Sequence, residues 1–183
     1  MLLYYSFIGA SGFLLSTFLI NRLKKFSHSH NWLISKRIPL VGGIGLGVSF
    51  ILVTLASFIT CRSLSIEVLG IIASSSIMFV FGLIDDLKEL SIVGKFLVQI
   101  IATGLLVLFG VKTQIIGIGN FFNLLITFIW VLGITNAFNH LDVMDGVAGG
   151  SALIVAAAFF ALSILHANTS SAVLSLVLIG AVF

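Results

Sequence analysis

FFNLLITFIWVLGITNAFNHLDVMDG, residues 121–146, is where the fold of this chain is most readable. Residues 121–135 are apolar apart from Asn123, Gly133 and two threonines. The chain then places Asn136, Asn139, His140, Asp142 and Asp145 within one short stretch. An apolar helix that delivers a polar cluster at its end suits a membrane span opening onto a polar site.

The rest of the chain agrees. It has 183 residues, 60% of them hydrophobic and only 8% charged, with a mean hydropathy of +1.28. A soluble domain of this size could not hide so much apolar surface. A span needs roughly 20 apolar residues. Candidates are 2–20, 43–60, 68–84, 96–109, 121–135 and 147–165. The run 171–183 begins a seventh, too short to cross roughly 30 Å of hydrocarbon at about 1.5 Å per residue. The expected fold is therefore all-α: one polytopic transmembrane helix bundle over residues 1–183, with six full spans and the start of a seventh. No positive n-region precedes the first run and no small-residue cleavage site follows it, so it reads as a span rather than a signal peptide. The single cysteine, Cys61, excludes an intramolecular disulfide. Nothing points to nucleic acid.

Six spans define alternating loops. One set (21–41, 85–95 and 136–146) holds Arg22, Lys24, Lys25, Lys36, Arg37, Lys88 and Lys95. The other holds Arg62 and Lys112. The positive-inside rule makes the first set cytoplasmic and the N-terminus external. Asp85, Asp86, Glu89, Asp142 and Asp145 fall on that same side. The rule concerns Lys and Arg and does not require this, so the acids describe a polar site facing the cytoplasm.

Three patches make up that site. In FGLIDDLKELS (81–91), Asp85 and Asp86 close the third apolar run. Carboxylates at a helix C-terminus oppose the macrodipole, so the pair stands against local preference. If helical, the two side chains point about 100° apart and face different partners. The plain alternative is a solvated loop start. In NAFNHLDVMDG (136–146), Asn136, Asn139, Asp142 and Asp145 recur every third residue. Each step turns about 300°, so four groups cannot share one straight helical face. A helix end near 139–142 is expected, with Gly146 marking a break. Carboxylates and amides together suit a hydrated Mg²⁺ and a nucleotide; a polar loop is the alternative. In SKRIPLVGGIGLG (35–47), Lys36 and Arg37 precede Pro39 and a run of glycines. Phosphate contact is one reading. Topology-setting cations and GxxxG packing at Gly43 and Gly47 are the other. His28 and His30 read as loop residues, Trp32 as an interfacial anchor, His140 as a phosphate or metal partner or a loop residue, and His166 as inert.

RIPLVGG, GLIDDLKEL, KFLVQIIA and NAFNHLDVMDGVAGG together resemble the polyprenyl-phosphate N-acetylhexosamine-1-phosphate transferases, glycosyltransferase family 4. RIPLVGG looks closer to the undecaprenyl-phosphate GlcNAc-1-phosphate branch than to the phospho-MurNAc-pentapeptide branch. Val143 departs from the glycine or asparagine of many relatives. The resemblance implies transfer of a hexosamine-1-phosphate from a UDP-N-acetylhexosamine to polyprenyl phosphate in the inner (plasma) membrane, with release of UMP. It implies Mg²⁺, with Mn²⁺ as a substitute. It makes Asp85 the base or lipid-phosphate-orienting group and Asp86 a support for metal or substrate. Lys36, Asn136, Asn139, Asp142 and Asp145 become substrate-binding, with Asp86 and Asp142 as metal ligands. Relatives continue further, and the resemblance implies another metal-binding aspartate beyond Phe183 and a histidine-rich loop. The 183-residue chain is therefore expected to be inactive alone. The partners expected of it are a C-terminal half or a second copy in a homodimer. A transporter would put its polar groups near mid-span, often within an inverted repeat. A non-catalytic membrane subunit would keep the motifs without the chemistry.

Overall fold

In the computed structural model the residues described are 2–30, 34–35, 38–39, 41–60, 65–88, 90–141 and 146–183. Among them, seven helices carry the fold: α1 (Leu2–His30), α2 (Gly42–Thr60), α3 (Ile66–Leu87), α4 (Ile92–Leu108), α5 (Gly119–Leu141), α6 (Val147–Leu165) and α7 (Thr169–Val182). A two-residue antiparallel pair, β1 (Ile34–Ser35) with β2 (Ile38–Pro39), lies between α1 and α2. The all-α, multi-pass membrane architecture holds. Five of the helices are long and apolar enough to cross a bilayer, namely α1, α2, α3, α5 and α6.

Two expectations need correction. Six full spans become five and a shorter fourth, a helix of only 17 residues, about 25 Å long at 1.5 Å per residue. Both of its ends are fixed by local chemistry. Ser91 Oγ accepts from Gly94 N at 3.1 Å and caps the start. Gly110, at φ 89°, turns the chain out at the other end, where Val111 N bonds back to Leu106 O. The first helix also runs further than its apolar stretch. It is helical through Arg22, Lys24, Lys25 and His28 to His30, residues that the apolar pattern leaves in a loop. Polar residues exclude neither helix geometry nor a helix emerging from the bilayer, and no glycine or proline interrupts residues 13–30.

The chain divides into two compact units. The first comprises residues 1–63 and 146–183. Within it α7 packs on α1, α2 and α6, burying Ala172, Val173, Val177 and Ala181. Small residues allow close approach, as expected where lipid on the outside removes any hydrophobic drive between helices. A Cβ on Gly180 would collide with the Gly9 carbonyl oxygen. Ser16 Oγ donates to Ala181 O at 2.7 Å beside that crossing. Phe183 follows α7; its N–H bonds back to Ile179 O at 3.0 Å, and its ring lies 5.9 Å from that of Phe13 on α1. The glycine contact on α2 is made by Gly45, whose Cβ would strike Ile20, whereas Gly43 faces open space.

The second unit, residues 64–145, is built from α3, α4 and α5. Helix α4 packs on both of the others. The link from α3 to α4 is only 88–91, so the C-terminus of α3 and the N-terminus of α4 lie at one end of this unit.

Candidate active site

Asp85 sits in the last turn of α3, one turn before Lys88 ends the helix. Its oxygens are both engaged. Oδ2 meets Lys95 Nζ at 2.6 Å, and Oδ1 accepts from Leu90 N at 3.0 Å. The ammonium comes from the first turn of α4, and the amide from the loop between the helices. The carboxylate thus ties the helix end to the start of its neighbour and offsets its unfavourable position at a negative dipole end. Asp86, the next residue, is exposed. The pair is helical, so its members diverge as expected.

Four residues along α4 from Lys95, Gln99 occupies the same helical face. It is buried, 4% exposed, against α5. Gln99 Nε2 donates to Asn136 Oδ1 at 3.4 Å, and Asn136 Nδ2 donates to Gln99 Oε1 at 3.0 Å. Asn136 Nδ2 also reaches its own helix at Leu132 O, 2.8 Å away. Asn139 and His140 follow, exposed, in the last turn of α5, which ends at Leu141. The residues that follow, 142–145, lie outside the described ones. Gly146, at φ 76°, opens α6.

The second unit thus brings together three of the predicted residues, Asp85, Asp86 and Asn136, with Asn139 a turn beyond. Lys36, Asp142 and Asp145 lie outside the described residues, as do Arg37, Glu89 and Val143. Sequence reasoning misses Lys95 and Gln99 as site residues. Their signal stands in KFLVQ: two polar groups four apart in an otherwise apolar helix.

Among the described residues no three metal-binding side chains cluster. Of the expected metal ligands, Asp86 is exposed on the last turn of α3, and Asp142 lies outside the described residues. The further ligand expected beyond Phe183 lies outside the 183 residues, and Phe183 itself adds nothing to the set. Its phenyl ring has no donor atom and is 83% exposed. The donors available at the polar end of the second unit are oxygens of carboxylates and amides, with no thiolate, which suits a hard cation such as Mg²⁺.

A family model matches residues 68–183, that of glycosyl transferase family 4. The chain belongs to glycosyl transferase family 4. Curated relatives carry transferase names. A probable undecaprenyl-phosphate N-acetylglucosaminyl 1-phosphate transferase of Bacillus subtilis is 29% identical over 127 residues, 65% of this chain and 35% of the relative. A candidate UDP-N-acetylglucosamine–dolichyl-phosphate N-acetylglucosaminephosphotransferase of Sulfolobus acidocaldarius is 30% identical over 167 residues, 84% of this chain and 51% of the relative. The decaprenyl-phosphate N-acetylglucosaminephosphotransferase of Mycolicibacterium smegmatis is 32% identical over 130 residues, 61% and 32% of the two chains. The matches span about a third to a half of the length of these curated relatives. No solved structure matches the chain.

Proposed function

We propose that the complete gene product transfers N-acetylglucosamine-1-phosphate from UDP-N-acetylglucosamine to a polyprenyl phosphate and releases UMP, at the cytoplasmic face of the plasma membrane. The observation that carries this reading is the polar end of the second unit. There α4 links the Asp85–Asp86 end of α3 to the Asn136–Asn139 end of α5 through Lys95 and Gln99. Family membership and the names of the relatives support the same chemistry.

In this reading a lipid-phosphate oxygen attacks the β-phosphorus of the UDP-sugar. The new P–O bond forms as the bond to UMP breaks, and UMP leaves with the electron pair. Such a transfer needs positioning and charge stabilisation more than covalent chemistry. Asp85 holds Lys95 at the membrane surface, where an ammonium can neutralise a phosphate. This favours the orienting role for Asp85 over that of base. Asn139, Asp142 and Asp145 bind the nucleotide end, and Lys36 faces a phosphate. Asp86 and Asp142 would hold Mg²⁺, which when bound supplies positive charge to the phosphoryl oxygens.

The test is UMP release by the complete gene product in membranes, given UDP-N-acetylglucosamine, polyprenyl phosphate and Mg²⁺. Turnover should require all three and stop on chelation. Asp85→Asn should reduce it at least about 100-fold, the scale of losing a positioned charged group. Undiminished turnover in Asp85→Asn would remove the site assignment, and absence of turnover in the parent would favour a non-catalytic subunit.

A further inference from the structure

We propose that Gln99 and Asn136 form a positioning pair, which sets the rotation and axial register of α5 and thereby aims Asn139. This assigns Gln99 a role and moves Asn136 from ligand to support. It rests on the transferase reading above.

The argument begins with how α5 is attached. The helix is 23 residues long, yet Thr127 is its one buried residue among those described. Apolar packing therefore does little to fix it. Between α3, α4 and α5 opens an apolar pocket of about 410 Å³, lined by Ile71, Met78, Gln99, Ala102, Val131 and Thr135 among others. The three helices do not interlock fully there. Packing that leaves a gap permits a helix to slide or turn, particularly where lipid surrounds it.

Polar pins replace the missing packing, one near each end. At the start of α5, Thr113 N donates to Thr127 Oγ1 at 3.0 Å, and Thr113 Oγ1 donates to Asn123 O at 2.7 Å. Asn123 Oδ1 accepts from Ile115 N at 2.8 Å. Toward the other end stands the Gln99–Asn136 pair. Two antiparallel N–H···O contacts between planar amides resist both sliding and rotation, which one contact would not.

Asn136 is saturated as a donor. One amide hydrogen serves Gln99 and the other Leu132 O. Its oxygen already accepts from Gln99. An amide so committed has no hydrogen left for a nucleotide or phosphate. Asn139 lies three residues on, about 300° around the helix, and is exposed. Whatever fixes the rotation at Asn136 fixes the direction of Asn139. Because Lys95 shares a face of α4 with Gln99, the same helix references both the Asp85 end and the Asn139 end.

The experiment compares the complete gene product with Gln99→Met, which keeps the length and removes the hydrogen bonds, and with the exchange Gln99→Asn/Asn136→Gln, which restores an amide pair. Turnover per folded molecule and KM for UDP-N-acetylglucosamine are measured beside the thermal midpoint in detergent. A misaimed group costs about 10–100-fold in rate. Gln99→Met is expected to lose that factor in kcat, with the midpoint little moved. The exchange is expected to recover most of it. Turnover within about 2-fold of the parent in Gln99→Met overturns the proposal, as does a loss that the exchange does not relieve. If Gln99→Met does not accumulate, the exchange alone decides by the same criterion.

A parent without turnover would count against the transferase reading, and the pair is then judged by amide hydrogen exchange in the 183-residue chain. Exchange over residues 137–141 should quicken at least about 10-fold in Gln99→Met relative to residues 124–131, the local opening expected when a pin is lost. Equal exchange in the two chains would overturn the positioning role independently of activity.

Discussion

Among single residues, the Asp85–Lys95 pair separates stability from function. Lys95 and Asp85 are 38% and 26% exposed. A part-exposed ion pair contributes about 0–1 kcal/mol, because water screens it and two side chains must be held in place. Lys95→Met should therefore lower the thermal midpoint by no more than a few degrees. If Lys95 meets a phosphate, the same substitution should reduce UMP release at least about 100-fold, since a positioned ammonium stabilises the charge that develops in the transition state. Paired measurements of melting and turnover on one preparation check this. A proportional fall in both would make Lys95 a structural residue. In the sequence Lys95 is legible only as a topology-setting cation, because its partner stands ten residues away across a helical hairpin. Gln99 is less legible still, since its partner Asn136 is 37 residues distant.

Among the helices, glycine substitutions distinguish packed from open faces. Gly180 on α7 abuts the Gly9 carbonyl and Phe13 N of α1. Backbone cannot step aside as a flexible side chain can, so Gly180→Ala should cost about 1–3 kcal/mol through overpacking. Gly133 lies within α5, and a Cβ there meets nothing within 4 Å. Gly133→Ala should stabilise by about 0.5–1 kcal/mol, because alanine loses less backbone freedom in a helix. Denaturation of both variants in the same detergent gives the comparison, and equal signs would refute the packing described. The helices themselves were largely legible: an apolar run marks each of the seven, and serines and glycines mark several ends. The α1 extension was not, since its last turns lack an apolar signal. Nor was the choice of Gly45 over Gly43, because spacing within one helix does not reveal which face meets a neighbour.

For the whole molecule, the question is which side of the membrane each end of the second unit occupies. Lys88 and Lys95 lie at one end, while Lys112 and the exposed Ile116 lie in the loop between α4 and α5. The positive-inside rule predicts that the first end faces the cytoplasm. In a Cys61→Ser background, Ile116→Cys should react with a membrane-impermeant maleimide in intact cells. Lys88→Cys should react only after permeabilisation. The opposite pattern would invert the topology and put the polar site outside.

Composition and apolar runs were enough to establish the membrane class and most of the helices, and short motifs carried the resemblance to the family, all of which are written locally along the chain. Three contacts needed the folded molecule: Asp85 held by Lys95, Asn136 held by Gln99, and Gly180 at the close crossing of α1 and α7. Each joins residues on different helices, and its identity depends on how one helix is rotated against another. In a bilayer that rotation is set by a few polar and small-residue contacts, because an apolar helix meets lipid and protein on nearly equal terms.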